Sequence, residues 1–299
     1  MSSGALVLLI SLSIGQTDGV PILDEVFQSS PDRPPPPGER MIRVIQHPDR
    51  DFKLAGALRL RIGVDAAILS AEYETDTVGA PKSAFELGDD LGIHPVALAL
   101  KSEVEFRPFK MLHLRVGGSW AEWDGDERLE SDLRFGRVDF PAGSNTATDF
   151  RLLETHVYLG HELGRWSRGH HGYLIGARYF QTELRVQSDG GGPSERNRIE
   201  GAMPVIGYSG GLSPFDGLEL RAQISLFSLS LGSGNEEDGL IQVDAIEIQV
   251  GLEFSLLPWL DIEAGYLFGD LILRRKRDGD EEMVEVSTHR LGVWGSIRF

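Results

Sequence analysis

Cysteine is absent from the 299 residues, which excludes disulfides, thiolate zinc sites, Cys-ligated iron–sulfur clusters and a Cys nucleophile. Whatever holds the fold is noncovalent. Positive charge is scarce: 29 Lys and Arg stand against 46 Asp and Glu, a formal net charge of −17. A nucleic-acid binder needs a basic footprint to displace phosphate counterions, so that class is set aside. Apolar stretches long enough for a membrane helix are lacking too. The run Ala5 to Ile14 (ALVLLISLSI) is too short to span a bilayer as a helix, but it has the length of a signal-peptide core. Nucleotide, haem, flavin and HExxH zinc motifs are missing, as is any His-x-Ser pair, so neither a cofactor nor a metal is expected.

What is present is glycine and alternation. The 36 glycines amount to about 12% of the chain, above the usual roughly 7%. Residues 1–15 read as an export signal and 16–51 as a Pro-rich extension, because the run Pro34 to Pro37 favours polyproline II and cannot join a ladder. From there to Phe299 one domain is expected, 52–299. Segment after segment in it repeats with period two, the signature of strands with two unlike faces. In Ile246 to Leu256 one face carries Ile246, Ile248, Val250, Leu252, Phe254 and Leu256, and the other Glu247, Gln249, Gly251, Glu253 and Ser255. The same pattern is read at Leu58–Ile68, Val96–Arg107, Leu112–Trp123, Leu153–Leu163, Tyr173–Val186, Pro204–Leu212, Leu218–Leu229, Leu260–Phe268 and Arg290–Phe299. That makes about ten strands, with eight or twelve as the neighbouring even counts.

Short links (Arg107 to Lys110, Gly164 to Gly172, Ser213 to Gly217, Leu257 to Trp259) alternate with long polar ones (Thr75 to Ile93, Asp124 to Asp149, Ser188 to Ala202, Gly232 to Leu240, Arg274 to Glu285). Short turns at one end and long loops at the other describe a transmembrane antiparallel up-and-down β-barrel. Strand length and aromatics favour it over a soluble barrel. The runs approach the roughly 9 to 11 residues a tilted strand needs to cross hydrocarbon. Aromatics gather near the short turns (Phe106, Phe109, Trp166, Tyr173, Phe215, Phe254, Trp259, Phe299) and in a second set at the other end (Tyr73, Trp120, Trp123, Tyr179, Tyr266, Phe268), as two interfacial girdles require.

The last strand, with Leu291, Val293, Ile297 and Phe299 on one face, resembles the C-terminal signal by which bacterial outer-membrane barrels are recognised for assembly. Phe85 to Val116, with Asp89-Asp90-Leu91-Gly92-Ile93 before a strand ending Phe106-Arg107-Pro108, is similar to a broad group of such barrels. The resemblance implies an outer-membrane location, with outer-membrane lipids, lipopolysaccharide and the barrel-assembly machinery as partners and Phe299 as the assembly signal. Lys and Arg cost about 2 to 4 kcal/mol on a lipid face at midplane, so the polar face belongs inside. Arg59, Arg61, Lys101, Glu103, Glu105, Arg115, Glu154, Arg178, Arg221, Glu247, Glu253, Glu263 and Arg290 are therefore expected to line the lumen. Near-balanced charges should fill a small lumen with ion pairs, which gives a closed, non-enzymatic barrel with a structural or surface-binding role through its long loops. A narrow pore for small solutes and a membrane-embedded hydrolase are the alternatives.

Overall fold

The computed structural model describes residues 58–76, 83–109, 111–136, 138–232, 240–277 and 280–299. The signal and extension expected at 1–51 lie outside them. In chain order the strands are β1 (Leu58–Asp76), β2 (Ser83–Glu86), β3 (Val96–Phe109), β4 (Leu112–Arg128), β5 (Leu133–Phe135), β6 (Val138–Phe140) and β7 (Asn145–Trp166). Then follow β8 (Gly169–Ser188), β9 (Ser194–Phe215), β10 (Leu218–Gly232), β11 (Leu240–Leu257), β12 (Leu260–Arg277) and β13 (Asp280–Arg298). One sheet of eleven strands runs β13-β12-β11-β10-β9-β8-β7-β4-β3-β1-β2, and β13 also pairs with β1. Setting β2 aside, ten antiparallel strands close a ring. The register Arg59↔Arg298 to Asp76↔Glu281 zips the first wall strand to the last over its whole length.

The wall strands are 14 to 22 residues long, well beyond the expected segments. The excess lies at the loop end, where the polarity of the two faces is exchanged. On β1, Leu58, Ile62, Val64 and Ile68 are exposed, and Arg59 and Asp65 are buried. Past Ile68 the alternation keeps its phase, but the buried residues become Leu69, Ala71 and Tyr73, while Ser70 and Asp76 are exposed. β4 does the same, with Trp120 exposed below and Asp124 and Asp126 exposed above, opposite buried Ala121 and Trp123. The lower part is thus apolar outside and charged inside. The upper part is built like a soluble barrel.

Several expectations are corrected by this exchange. Tyr73 and Trp123 are 1% exposed and belong to the interior, not to an outer aromatic girdle. The stretches Thr75–Ile93 and Asp124–Asp149 are not open loops. β2 pairs with the top of β1, and the chain after it crosses to β4 through Ile93↔Gly125 and His94 N to Asp124 O, 3.0 Å. Gly92 supports this crossing with a φ of 63°. β5 and β6 form a separate hairpin that brings Phe135 and Phe140, both fully buried, into the barrel mouth. The link 164–172 is tighter than expected, since β7 and β8 leave only Ser167 and Arg168 between them, and His170 and His171 stand on β8.

The wall has one interruption of interest. The β9–β10 ladder stops at Ile206↔Leu226, although both strands continue upward. Two residues beyond the last pair stands Pro204, which has no N–H to give, and proline in a sheet is confined to such edges. Above it the carbonyl of Arg198 accepts instead from the Arg275 guanidinium at 3.1 Å.

Candidate functional site

The interior of the barrel holds the side chains with chemical character, arranged in layers set by strand register. Nearest the turns, Arg59 Nη2 lies 2.5 Å from Glu253 and 2.9 Å from Asp261, and Arg298 lies 2.6 Å from the same aspartate. Arg61 bridges Glu103 and Glu263, each at 3.1 Å, and Arg221 reaches Glu253 at 2.7 Å. Arg107 pairs with Glu105 and lies 3.6 Å from Glu162. Arg115 donates to Gln223 at 2.6 Å and sits over the Tyr158 ring.

A second layer lies at mid-height. Glu154 is held by Arg178 at 2.6 Å, by Arg290 at 2.8 Å and by Ser119 at 3.0 Å, and Arg178 also reaches Glu247 at 2.8 Å. Trp294 donates its indole N–H to Asp65 at 2.7 Å while Lys101 stands over its ring at 4.7 Å. All thirteen residues expected to line the lumen are thus buried or half-buried and belong to these two layers. A desolvated ion pair roughly breaks even with an apolar filling, so such networks add little net stability.

The layer above was not legible as a site. Tyr73, Phe85 and Phe135 meet with ring centroids 5.2 to 6.1 Å apart, and Trp123 packs on Phe150 at 5.8 Å. Phe180, Leu184, Met203, Leu273 and Val286 complete an apolar core. It is capped by Asn197, which donates to Tyr73 Oη at 2.5 Å and to Glu282 at 3.1 Å and accepts from Arg275 at 3.1 Å. The signal was the unbroken alternation Leu69, Ala71, Tyr73, which continues past the point where the outward residues turn polar. The cap also divides the basic run 274–276: Arg274 and Lys276 are exposed, whereas Arg275 turns inward.

His156 Nε2 lies 3.0 Å from Glu103 inside the charged layers, and His171 and His289 hydrogen-bond Tyr208 and Tyr266 on the outer face. No GxSxG elbow is expected from the sequence, yet Gly207-Tyr208-Ser209-Gly210-Gly211 fits the string. It lies within β9, with Ser209 paired to Gly172 and Gln223, and not at the strand-to-helix turn that exposes a nucleophile. Among the described residues no three His, Asp or Glu side chains converge as metal ligands.

No family model matches the sequence, and no curated relative does. Solved structures do. The outer membrane protease OmpT of Escherichia coli superposes with a TM-score of 0.52 at 9% identity, over 81% of this chain and 96% of that one. The translocator domain of the autotransporter NalP of Neisseria meningitidis follows at 0.41 and 12% identity, covering 88% and 94%. Ail of Yersinia pestis, in complex with a heparin analogue, gives 0.33 at 14% identity, covering 81% and 99%. By its fold and its apolar outer belt, the chain is a transmembrane β-barrel of the kind found in bacterial outer membranes.

Proposed function

We propose that this barrel is closed and non-enzymatic, and that it acts at the cell surface through the structured loop end that rises above the membrane. The observation that carries this reading is the apolar core of the upper half. A solute entering from outside would pass the cap of Asn197, Arg275 and Glu282 and then meet Phe135, Phe140, Tyr73 and Trp123, all at most 1% exposed, before reaching the charged layers below. A conducting lumen needs a continuous wet path, and packed aromatics give none. Below them the paired charges of the two lower layers fill the bore again. Outer-membrane lipids meet the belt, and exposed Arg274 and Lys276 stand just above it, where anionic headgroups and lipopolysaccharide phosphates lie. Exposed Arg185 of β8 and Ser194 and Arg196 of β9 offer a polar surface to an external partner.

The test is planar-bilayer conductance of the refolded full-length protein. The expected result is current at background in the same preparation that shows the heat-dependent gel shift of a folded barrel. Stable unit steps with ion selectivity would establish the pore in place of the closed barrel.

A further inference from the structure

The turn end of the barrel holds a cavity of about 330 Å³, within the range of sites that bind small molecules. Its walls carry six arginines, Arg59, Arg107, Arg165, Arg168, Arg221 and Arg298, against the glutamates Glu105 and Glu219. That excess of positive charge occurs in a chain whose formal net charge is −17.

The ion pairs are sorted by depth. Glu105, Glu162, Glu253 and Asp261 have side chains at most 4% exposed, whereas those of Arg107, Arg221 and Arg298 are 21 to 36% exposed and Arg165 is 58% exposed. Glu162 and Asp261 hold Arg165 and Arg298 through Nε and Nη2, and Glu105 and Glu162 hold Arg107 through Nε and Nη1. One terminal nitrogen of each therefore has no protein partner among the described residues, whereas Arg221 spends all three nitrogens on Glu219 and Glu253. Arg165 shows the arrangement clearly, with Nε and Nη2 both on Glu162 at 2.9 and 2.8 Å. Arg168, in the two-residue turn between β7 and β8, faces the same space with no carboxylate partner among the described residues. Preorganised, planar guanidinium groups with unused donors suit multiply charged carboxylate and phosphate oxyanions.

We propose that this vestibule is a binding site for a small solute carrying two or more phosphate or carboxylate groups, entering from the side of the short turns. It is independent of the closed-barrel reading. In a closed barrel the vestibule is a blind pocket, and in an open one it would be an anion-selecting entrance.

The experiment is isothermal titration of the full-length protein, refolded in detergent micelles at low salt, with inorganic pyrophosphate and, separately, with citrate. Saturable one-to-one binding of either probe is expected, weakening as sodium chloride is raised because the contacts are charge-assisted. Tighter binding of pyrophosphate assigns the site to phosphate groups, and tighter binding of citrate to carboxylates. The double variant Arg165→Ser and Arg168→Ser should lose at least tenfold in affinity with its heat-dependent gel shift retained. The control Arg185→Ser with Arg196→Ser, at the opposite end, should bind as the wild type does. Absence of saturable binding by both probes would overturn the proposal, as would equal losses in the two double variants. Conductance decides the closed-barrel reading separately, since a barrel that conducts and still binds at the vestibule sinks only that reading.

Discussion

Arg59 and Asp261 stand 202 residues apart in sequence, on β1 and β12, yet their side chains meet at 2.9 Å across the intervening strand β13. Ser296 of β13 lies within the same contact, with its hydroxyl 2.8 Å from Arg59 Nη2. The pair thus reaches over the seam where the first wall strand joins the last. Asp261 is fully buried and also serves Arg298 and Ser255. Replacing it with Asn keeps the shape and removes the charge, leaving two guanidinium groups under-compensated. Removing one partner of a buried pair costs about 3 to 5 kcal/mol. Asp261→Asn should therefore lower the urea midpoint of the folded barrel far more than breaking an exposed pair such as Arg198 and Glu200 does. Equal small losses at both places would mean that water fills the lower layer.

The β5–β6 hairpin is the part of the plug that can be removed without cutting the wall. Phe135→Ala should cost about 3 to 5 kcal/mol, since it empties a fully buried ring site that touches Tyr73 and Phe85. Deleting residues 131–142 should raise bilayer conductance above the wild-type background while the ten-stranded wall still shifts on a gel. A deletion that folds and stays silent would assign the block to the paired charges below.

The wall was legible in the sequence because a lipid-facing strand must alternate cleanly over the whole hydrocarbon thickness, as Ile246 to Leu256 does. The inward charges were legible for the same reason, since Arg and Glu have no other affordable address in that zone. Legibility ended where the environment changed. Above Ile68 the outward face of β1 turns to Ser70, Glu72 and Glu74, so a search for apolar-out strands stops there even though the strand does not. Tyr73 and Trp123 then sat at the right height for an interfacial girdle, and only their parity, odd along β1 and β4 like Arg59 and Arg115, marks them as inward. Short plug strands such as Leu133–Phe135 carry too few residues for any period to show.

Orientation is testable on intact cells. The exposed residues around Glu130 and Ser131 and around Gly192 and Pro193 should be cut by added protease, and the turn Ser167-Arg168 should be protected until the membrane is broken. Cleavage at that turn in intact cells would place the vestibule outside and invert the topology.

Phe299 is proposed as the residue read during assembly. Its side chain is exposed on the belt side, and its backbone N–H is bonded to Leu58 O at 2.9 Å, a bond that any residue would make. Phe299→Ala should therefore reduce the amount of folded barrel in the membrane fraction without changing urea stability of what does fold. A loss of stability with normal yield would reduce Phe299 to an ordinary strand residue.

Gly63 and Trp294 are register partners on β1 and β13, and the indole lies where any Gly63 side chain would go. A Cβ at residue 63 would fall 1.8 Å from Trp294 Cδ1 and 2.6 Å from the Val293 carbonyl, far inside contact distance. One neighbour is a side chain that can swing aside and the other is backbone, so the indole must move and the β1–β13 seam must also give. Swinging it away breaks the N–H bond to Asp65 and removes the ring beneath Lys101, which uncovers a fully buried carboxylate at the junction of the charged layers and the apolar core. Leaving a buried polar group unpaired costs about 1 to 3 kcal/mol, and more when it is charged. Gly63→Ala should thus destabilise the barrel by at least that amount, with Trp294 emission moving to longer wavelength as the ring becomes wetter. In the Asp65→Asn background the same substitution should cost less, because the carboxylate it exposes is gone. Additive losses in the double variant would show that the clash acts through the β1–β13 backbone, and that the indole bond to Asp65 plays no part in holding the seam.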